Sequence, residues 1–247
     1  MKNFIFGLLV IVSYGSQAQA TGQIMSYGSG GGNVNSLGQL ETLMGPIGER
    51  SSKSGGIMEN MQGSPYTSNE FQPGTVYYKD ENTGKVFFRY NSYNEEIEIK
   101  KTNLKDEPLQ SLGRDKNISM VSEDGKALRF STFIDRKGLT QNGYLTRLVD
   151  GDYALYLRST AKFTEGMKSP NSFVKATPPK FTQFSEYYLE IKGVNRVDEV
   201  EFKNKKLLKL LPDNVRSSTE DYLKKEKIKI KDLEDLKKVL AHLNSQS

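Results

Sequence analysis

Thr75-Val76-Tyr77-Tyr78-Lys79, Asp80-Glu81-Asn82-Thr83-Gly84-Lys85 and Val86-Phe87-Phe88-Arg89-Tyr90 follow one another without a break, and their reading decides the fold. Two aromatic and β-branched runs flank a polar segment whose Asn and Gly supply the positive φ that a hairpin loop requires. Working outward, Glu95-Glu96-Ile97-Glu98-Ile99-Lys100 alternates with a period of two. Alternation places Ile97 and Ile99 on a buried face and Glu96, Glu98 and Lys100 on a solvated one. The pattern recurs at Ile118 to Val121 and Ala127 to Ile134 around Glu123-Asp124-Gly125-Lys126, then at Tyr144 to Val149 and Tyr153 to Phe163 around Asp150-Gly151-Asp152. Pro178-Pro179 stops it, and Phe184 to Ile191 with Val197 to Phe202 resume it. Strands joined by loops this short are antiparallel neighbours, so the fold class is mainly β (α+β), an antiparallel β meander forming a sandwich, roll or open barrel over residues 65–203.

A small C-terminal helical appendage follows over residues 204–247. Asn204 to Leu211 starts at a candidate capping Asn and stops before Pro212. Ser217-Ser218 leads into Thr219 to Lys225, with acids in the first turn and lysines in the last, as the helix dipole favours. Asp232 caps a third helix, whose Leu233, Leu236, Val239, Leu240 and Leu243 recur at helical spacing.

The N-terminal end reads as an address. Lys2, the apolar run Phe4 to Val12 and the small-x-small Ala18-Gln19-Ala20 form the pattern of a signal peptide over residues 1–20, with maturation expected before Thr21. The run is shorter than the roughly 20 residues that span a bilayer, so no transmembrane segment is expected in the mature protein. Export by a cleavable signal implies a periplasmic or extracellular location. The chain has no Cys, which rules out a lipid-anchored cysteine and a disulfide framework. Residues 21–64 are rich in Gly, Ser and Asn and are expected to be a flexible arm, with Leu37, Leu40, Leu43 and Met44 at the spacing of a short helix.

The formal charge is +5, but residues 200–247 hold 12 Lys/Arg against 8 Asp/Glu, whereas residues 21–199 hold 22 of each. The result is a neutral body with a basic tail. Eleven of the twelve tail cations are Lys, which lacks the planar fork that Arg uses on phosphates, and an exported protein meets little nucleic acid. No nucleic-acid partner is expected.

The stretches Pro73-Gly74-Thr75-Val76-Tyr77-Tyr78, Phe88-Arg89-Tyr90-Asn91-Ser92-Tyr93-Asn94-Glu95-Glu96-Ile97-Glu98-Ile99 and Lys206-Leu207-Leu208-Lys209-Leu210-Leu211-Pro212-Asp213 together resemble a group of uncharacterised exported proteins of Gram-negative bacteria. The resemblance covers most of residues 64–244. It implies export and a β-then-α layout, and it brings no activity and no functional residue.

Most site chemistry is excluded by composition. There is no Cys, and the only His is His242, five residues from the end, so a Ser-His-Asp arrangement would have to recruit this terminal residue, whose place near a helix C-terminus is already explained by the dipole. The commonest ligands for zinc, copper and haem are missing too, so no catalytic residue, no metal and no cofactor is assigned. Glu96 and Glu98 share a strand face as a glycosidase pair would, yet acids alternating with Ile mark a solvated side. Asp80 to Gly84 offers oxygen ligands but lacks the later bidentate Glu of a calcium loop. Aromatics remain: Val86, Phe88 and Tyr90 point one way along their strand, Phe87 and Arg89 the other. One set is core, and the other, as Tyr77, Phe87, Arg89 and Tyr93, is the candidate ligand-binding platform. The absence of Trp weakens a carbohydrate reading.

Three function classes follow. The first is an exported non-enzymatic binding or structural protein of the cell envelope with an unknown envelope or extracellular partner. The second is a carrier of a small apolar ligand inside a curved meander, and the third a hydrolase using carboxylates alone. A filled core with an exposed aromatic strip favours the first, a closed, empty interior lined by aromatics the second, and two inward carboxylates at the bottom of a cleft the third.

Overall fold

The structure, a computed structural model, describes residues 34–45, 61–167, 169 and 175–246. The expected signal peptide, most of the expected arm and the N-terminal glycines lie outside the described residues. Eleven strands form one mainly antiparallel sheet: β1 (Met44–Gly45), β2 (Gln72–Tyr78), β3 (Glu81–Asn91), β4 (Glu96–Lys100), β5 (Gln110–Leu112), β6 (Ile118–Ser122), β7 (Ala127–Ile134), β8 (Thr140–Val149), β9 (Tyr153–Thr164), β10 (Lys180–Ile191) and β11 (Val197–Glu199). Among the described residues the helices are α1 (Val34–Leu43), α2 (Asn204–Leu210), α3 (Asp213–Lys225) and α4 (Leu233–Ser245).

The first hairpin forms, with a tighter turn than the sequence suggests. Lys79 and Asp80 both have positive φ, 50° and 66°, so the loop is the two-residue type I′ turn and β3 begins at Glu81. Asn82-Thr83-Gly84 is therefore not loop but a bulge, where the register with β2 shifts between Val76 and Tyr77. Thr83 is fully buried there, and its hydroxyl donates to the Val76 carbonyl at 2.9 Å. Gly84 sits at φ 149° with Leu40 packed so close that an added Cβ would lie 3.1 Å from its methyl.

Strand order runs β1-β5-β4-β3-β2-β6-β7-β11-β10-β9-β8, and β7 also pairs with β8. Thus β7, β8, β9, β10 and β11 pair in succession, and β11 returns to β7 at Asp198 and Ile134, a parallel contact. One edge of β7 is shared, with β6 on its start and β11 on its end. Phe133, Leu145 and Tyr188, joined by Tyr156 and Val197, contribute one side chain from each of these five strands and fill the space they enclose. A second core holds Val76, Val86, Phe88, Tyr90, Ile97, Ile99 and Met120 against Leu128 and Tyr144. A third lies between the outer face of β9–β10 and the helices, where Leu155 and Leu189 meet Leu207, Leu223, Leu236 and Leu240.

Part of the expected arm is packed. Leu40 of α1 is only 3 % exposed within the second core, and β1 pairs through Met44 and Gly45 with Leu112 and Ser111. Leu40, the partly buried Leu43 and Met44, and the β1–β5 ladder hold this segment on the sheet.

In the tail, α4 matches its periodicity. Asp232 accepts from the Asp235 amide at 3.0 Å, and Leu236, Val239 and Leu240 are fully buried. Asn244 docks this helix on the β8–β9 turn, accepting from the Tyr153 amide at 2.8 Å. Asn204 does not cap α2. It is the first helical residue, and its side chain instead donates to the Ile228 carbonyl and accepts from the Ile230 amide, both at 2.8 Å. Helix α3 starts at Asp213, earlier than the Thr219 expected, with Pro212 as its N-cap residue, whose carbonyl accepts from the Val215 and Arg216 amides, both at 3.0 Å.

Candidate functional site

The four residues chosen from the sequence do not form one site. Arg89 faces Glu98 across the β3–β4 ladder, and Nε donates to Glu98 Oε2 at 2.8 Å. Its Nη2 donates to the Tyr66 hydroxyl at 2.9 Å, and the guanidinium stacks on Tyr66 at 3.8 Å and Phe71 at 4.5 Å. Asn91 donates to the other oxygen of Glu98 at 3.0 Å. Glu98 is 1 % exposed, so the face expected to be solvated is covered, by the segment Met61 to Phe71 that crosses it. Burial, then the charge of Glu98, raises the Tyr66 phenol above its usual range. Arg89 is thus a rivet, paired through Nε and Nη2 as a largely buried charge requires.

Tyr93 lies past the end of β3, packed edge-on against Phe181 at 5.2 Å and Phe163 at 6.5 Å. Tyr77 pairs with Ser119 and Asn82, four residues along β2 from Pro73, the partner of Phe87, which sets the two about 13 Å apart along the strand. Phe87, half-buried, shares the Arg89 face.

Two partly exposed carboxylates do meet on the β body, with a cation between them. Arg158 donates to Glu95 through Nη2 at 2.7 Å and Nε at 3.2 Å, and to Glu186 through Nη1 at 3.0 Å. Tyr188 also donates to Glu186, at 3.0 Å. Both acids are held as partners of one guanidinium, so neither is free to flank a scissile bond as a glycosidase pair does. Among the described residues no group of three or more His, Asp or Glu is arranged to hold a metal ion, and no helix is long and apolar enough to cross a membrane.

A separate concavity lies in the helical tail. A groove of about 750 Å³ runs between α2 and α3. On α3, Arg216, Glu220, Leu223 and Lys224 share one face because they recur at spacings of three and four, and Lys227 follows just beyond the helix end. Lys205, Leu208 and Lys209 do the same on α2. The end of α3 makes the floor: the Ile228 amide bonds the Leu223 carbonyl at 2.9 Å and the Lys227 amide bonds the Lys224 carbonyl at 3.2 Å. This is the Schellman arrangement, in which the outer residue packs on the third from the helix end; here those residues are Ile228 and Leu223, both lining the groove. Its left-handed position, normally Gly, is Lys227 at φ 54°.

Charge on the rim is uneven. Arg216 is committed to structure, donating to the carbonyls of Leu208 at 2.8 Å and Leu211 at 2.9 Å and pairing with Asp213. Lys224 pairs with Glu220 at 2.8 Å, which raises its pKa. Lys205, Lys209, Lys227 and Lys229 line the groove, are exposed and have no carboxylate partner among the described residues. By contrast Lys203 and Lys206 share Glu201, and Lys237 pairs with Glu234. Sequence reasoning registered the excess of lysine but not this site, because the groove depends on how α2 turns back on α3. The signal available was the absence of Gly after Lys224-Lys225-Glu226, where a helix end needs a left-handed residue.

Comparison with known proteins finds no matching family model, no matching curated protein and no matching solved structure.

Proposed function

We propose that this is an exported, non-enzymatic binding protein whose recognition element is the groove of the helical tail and whose ligand is anionic. The carrying observation is the set of four unpaired lysines around an apolar floor of Leu208, Leu223 and Ile228. Like charges gathered on a concave surface concentrate counter-ions and repel one another, so an anion seated among them relieves that repulsion. The filled sheet interior argues against the carrier: Ile97, Ile99, Met120, Phe133, Leu145 and Tyr188 are all fully buried. The position of Arg158 between Glu95 and Glu186 argues against a carboxylate hydrolase. Export rests on residues 1–20, and mass spectrometry of the secreted protein is expected to find Thr21 as its first residue; an intact Met1 contradicts it.

The binding reading is tested with 8-anilinonaphthalene-1-sulfonate, a rigid apolar anion that fluoresces when sheltered from water. The folded protein is expected to bind it one-to-one, and Lys205→Glu/Lys209→Glu is expected to abolish the signal with an unchanged denaturation midpoint. Equal binding by the variant refutes the assignment of the groove.

A further inference from the structure

Resting on the groove reading, we propose that the occupant is a monomeric single-chain amphiphile, a phosphate or carboxylate head on one acyl chain. The groove has two kinds of surface in two places. Its apolar floor is formed by Leu208, Leu223 and Ile228, while the cations stand on its rim at Lys205, Lys209, Lys227 and Lys229. A head held at the rim puts the attached chain over the floor. The aliphatic stems of the same lysines line the walls, as long cationic side chains do when they cover apolar surface.

Three observations select this occupant among anions. The one Arg of the lining is engaged with two carbonyls and Asp213, so the planar fork that recognises a carboxylate or phosphate bidentately is not on offer. Lysines bind as point charges and accept a head of either geometry. A groove of about 750 Å³ falls within the usual range of small-molecule sites, roughly 300–1,000 Å³. A docked acidic helix requires a row of anchor pockets at i, i+3, i+4 and i+7, and the floor provides three apolar side chains. A membrane surface fits least. Helices that lie on a bilayer project large apolar residues outward, and the exposed large apolar residues here are Leu104, Leu109, Leu139, Met167 and Phe184, none of them in the tail. The chain of the ligand must therefore come to the floor of the groove, as a monomer drawn from solution.

Titration calorimetry with dodecyl phosphate below its micellar concentration tests this on the whole mature protein. One-to-one binding is expected, at least tenfold tighter than inorganic phosphate, with no binding of dodecyltrimethylammonium. Lys205→Glu/Lys209→Glu is expected to weaken it more than tenfold. Lys225→Glu, an exposed cation of α3 that does not line the groove, is expected to leave it within twofold, which separates local recognition from net charge. Equal affinity for dodecyl phosphate and inorganic phosphate overturns the amphiphile while keeping the anion site. So does binding of a decaglutamate peptide in place of dodecyl phosphate, or binding only to anionic phospholipid vesicles. Failure of all four anionic probes overturns both the amphiphile and the groove reading.

Discussion

Replacing Lys227 by Gly is expected to make the protein more stable and a weaker binder at once. Lys227 stands at φ 54°, where an L side chain costs about 1–2 kcal/mol through the approach of Cβ to the carbonyl oxygen. Glycine removes that term but costs about 0.5–1 kcal/mol through the wider freedom of the unfolded chain. The difference is a stabilisation of about 0.5–1 kcal/mol, since the two amide bonds that close the helix end involve no side chain of residue 227. In a chain of this size 1 kcal/mol corresponds to roughly 2–4 °C in Tm. Lys227→Ala supplies the control, because it deletes the same ammonium and keeps the Cβ. Chemical denaturation is expected to show a raised midpoint with unchanged slope for Gly and a midpoint near the parent for Ala, while both lose affinity for the anionic probe equally. A Gly variant no more stable than the Ala variant refutes the left-handed Lys227, and unchanged affinity in both removes Lys227 from the rim.

Other outcomes follow from packing and charge. Leu240→Ala is expected to cost about 2–5 kcal/mol by denaturation, as a fully buried truncation between α4 and the sheet. His242→Ala is expected to cost about 0.5–1.5 kcal/mol, because its ring stacks on Tyr222 at 3.5 Å and 6° between α4 and α3. Glu98→Ala leaves Arg89 unpaired at a site 17 % exposed and is expected to cost about 3–5 kcal/mol, whereas Arg89→Met/Glu98→Leu recovers most of it. Burial raises the phenols of Tyr90, Tyr144 and Tyr188 above 10, so the folded state holds those protons longer than the unfolded one. Their contribution is complete below pH 10 and is lost as pH rises above it, by about 1.4 kcal/mol per pH unit for each tyrosine. Absorbance titration is expected to show these three ionising only with unfolding.

Period-two alternation made the hairpin strands and their antiparallel pairing legible, because each side chain's face follows from its parity. What alternation does not carry is which strand lies beside which. The β2–β6 neighbourhood and the return of β11 to β7 join residues far apart in sequence, and no local pattern encodes them. Glu98 was misplaced for the same reason. Its parity is opposite to Ile97 and Ile99, as expected, but the face it occupies is covered by Met61 to Phe71, and Arg89 and Asn91 give its charge three hydrogen-bonding groups at close range. Leu40 shows the converse: an apolar residue in a polar, glycine-rich stretch is anchored because Gly84 leaves room for it. Helix α4 was readable in full since its apolar stripe and its cap are both local. Asn204 was not, because a helix-starting Asn has the same sequence signature whether its side chain turns to its own helix or, as here, to Ile228 and Ile230.

The most direct test of the groove is amide hydrogen exchange with and without a saturating anionic probe. Added protection is expected at Asn204 to Lys209 and at Glu220 to Ile230, with β3, β8 and β9 unchanged. Protection appearing instead along β3, β8 and β9, where Phe88, Thr146, Leu157 and Ser159 line a cleft of about 300 Å³, would contradict the account and place recognition between the two halves of the sheet.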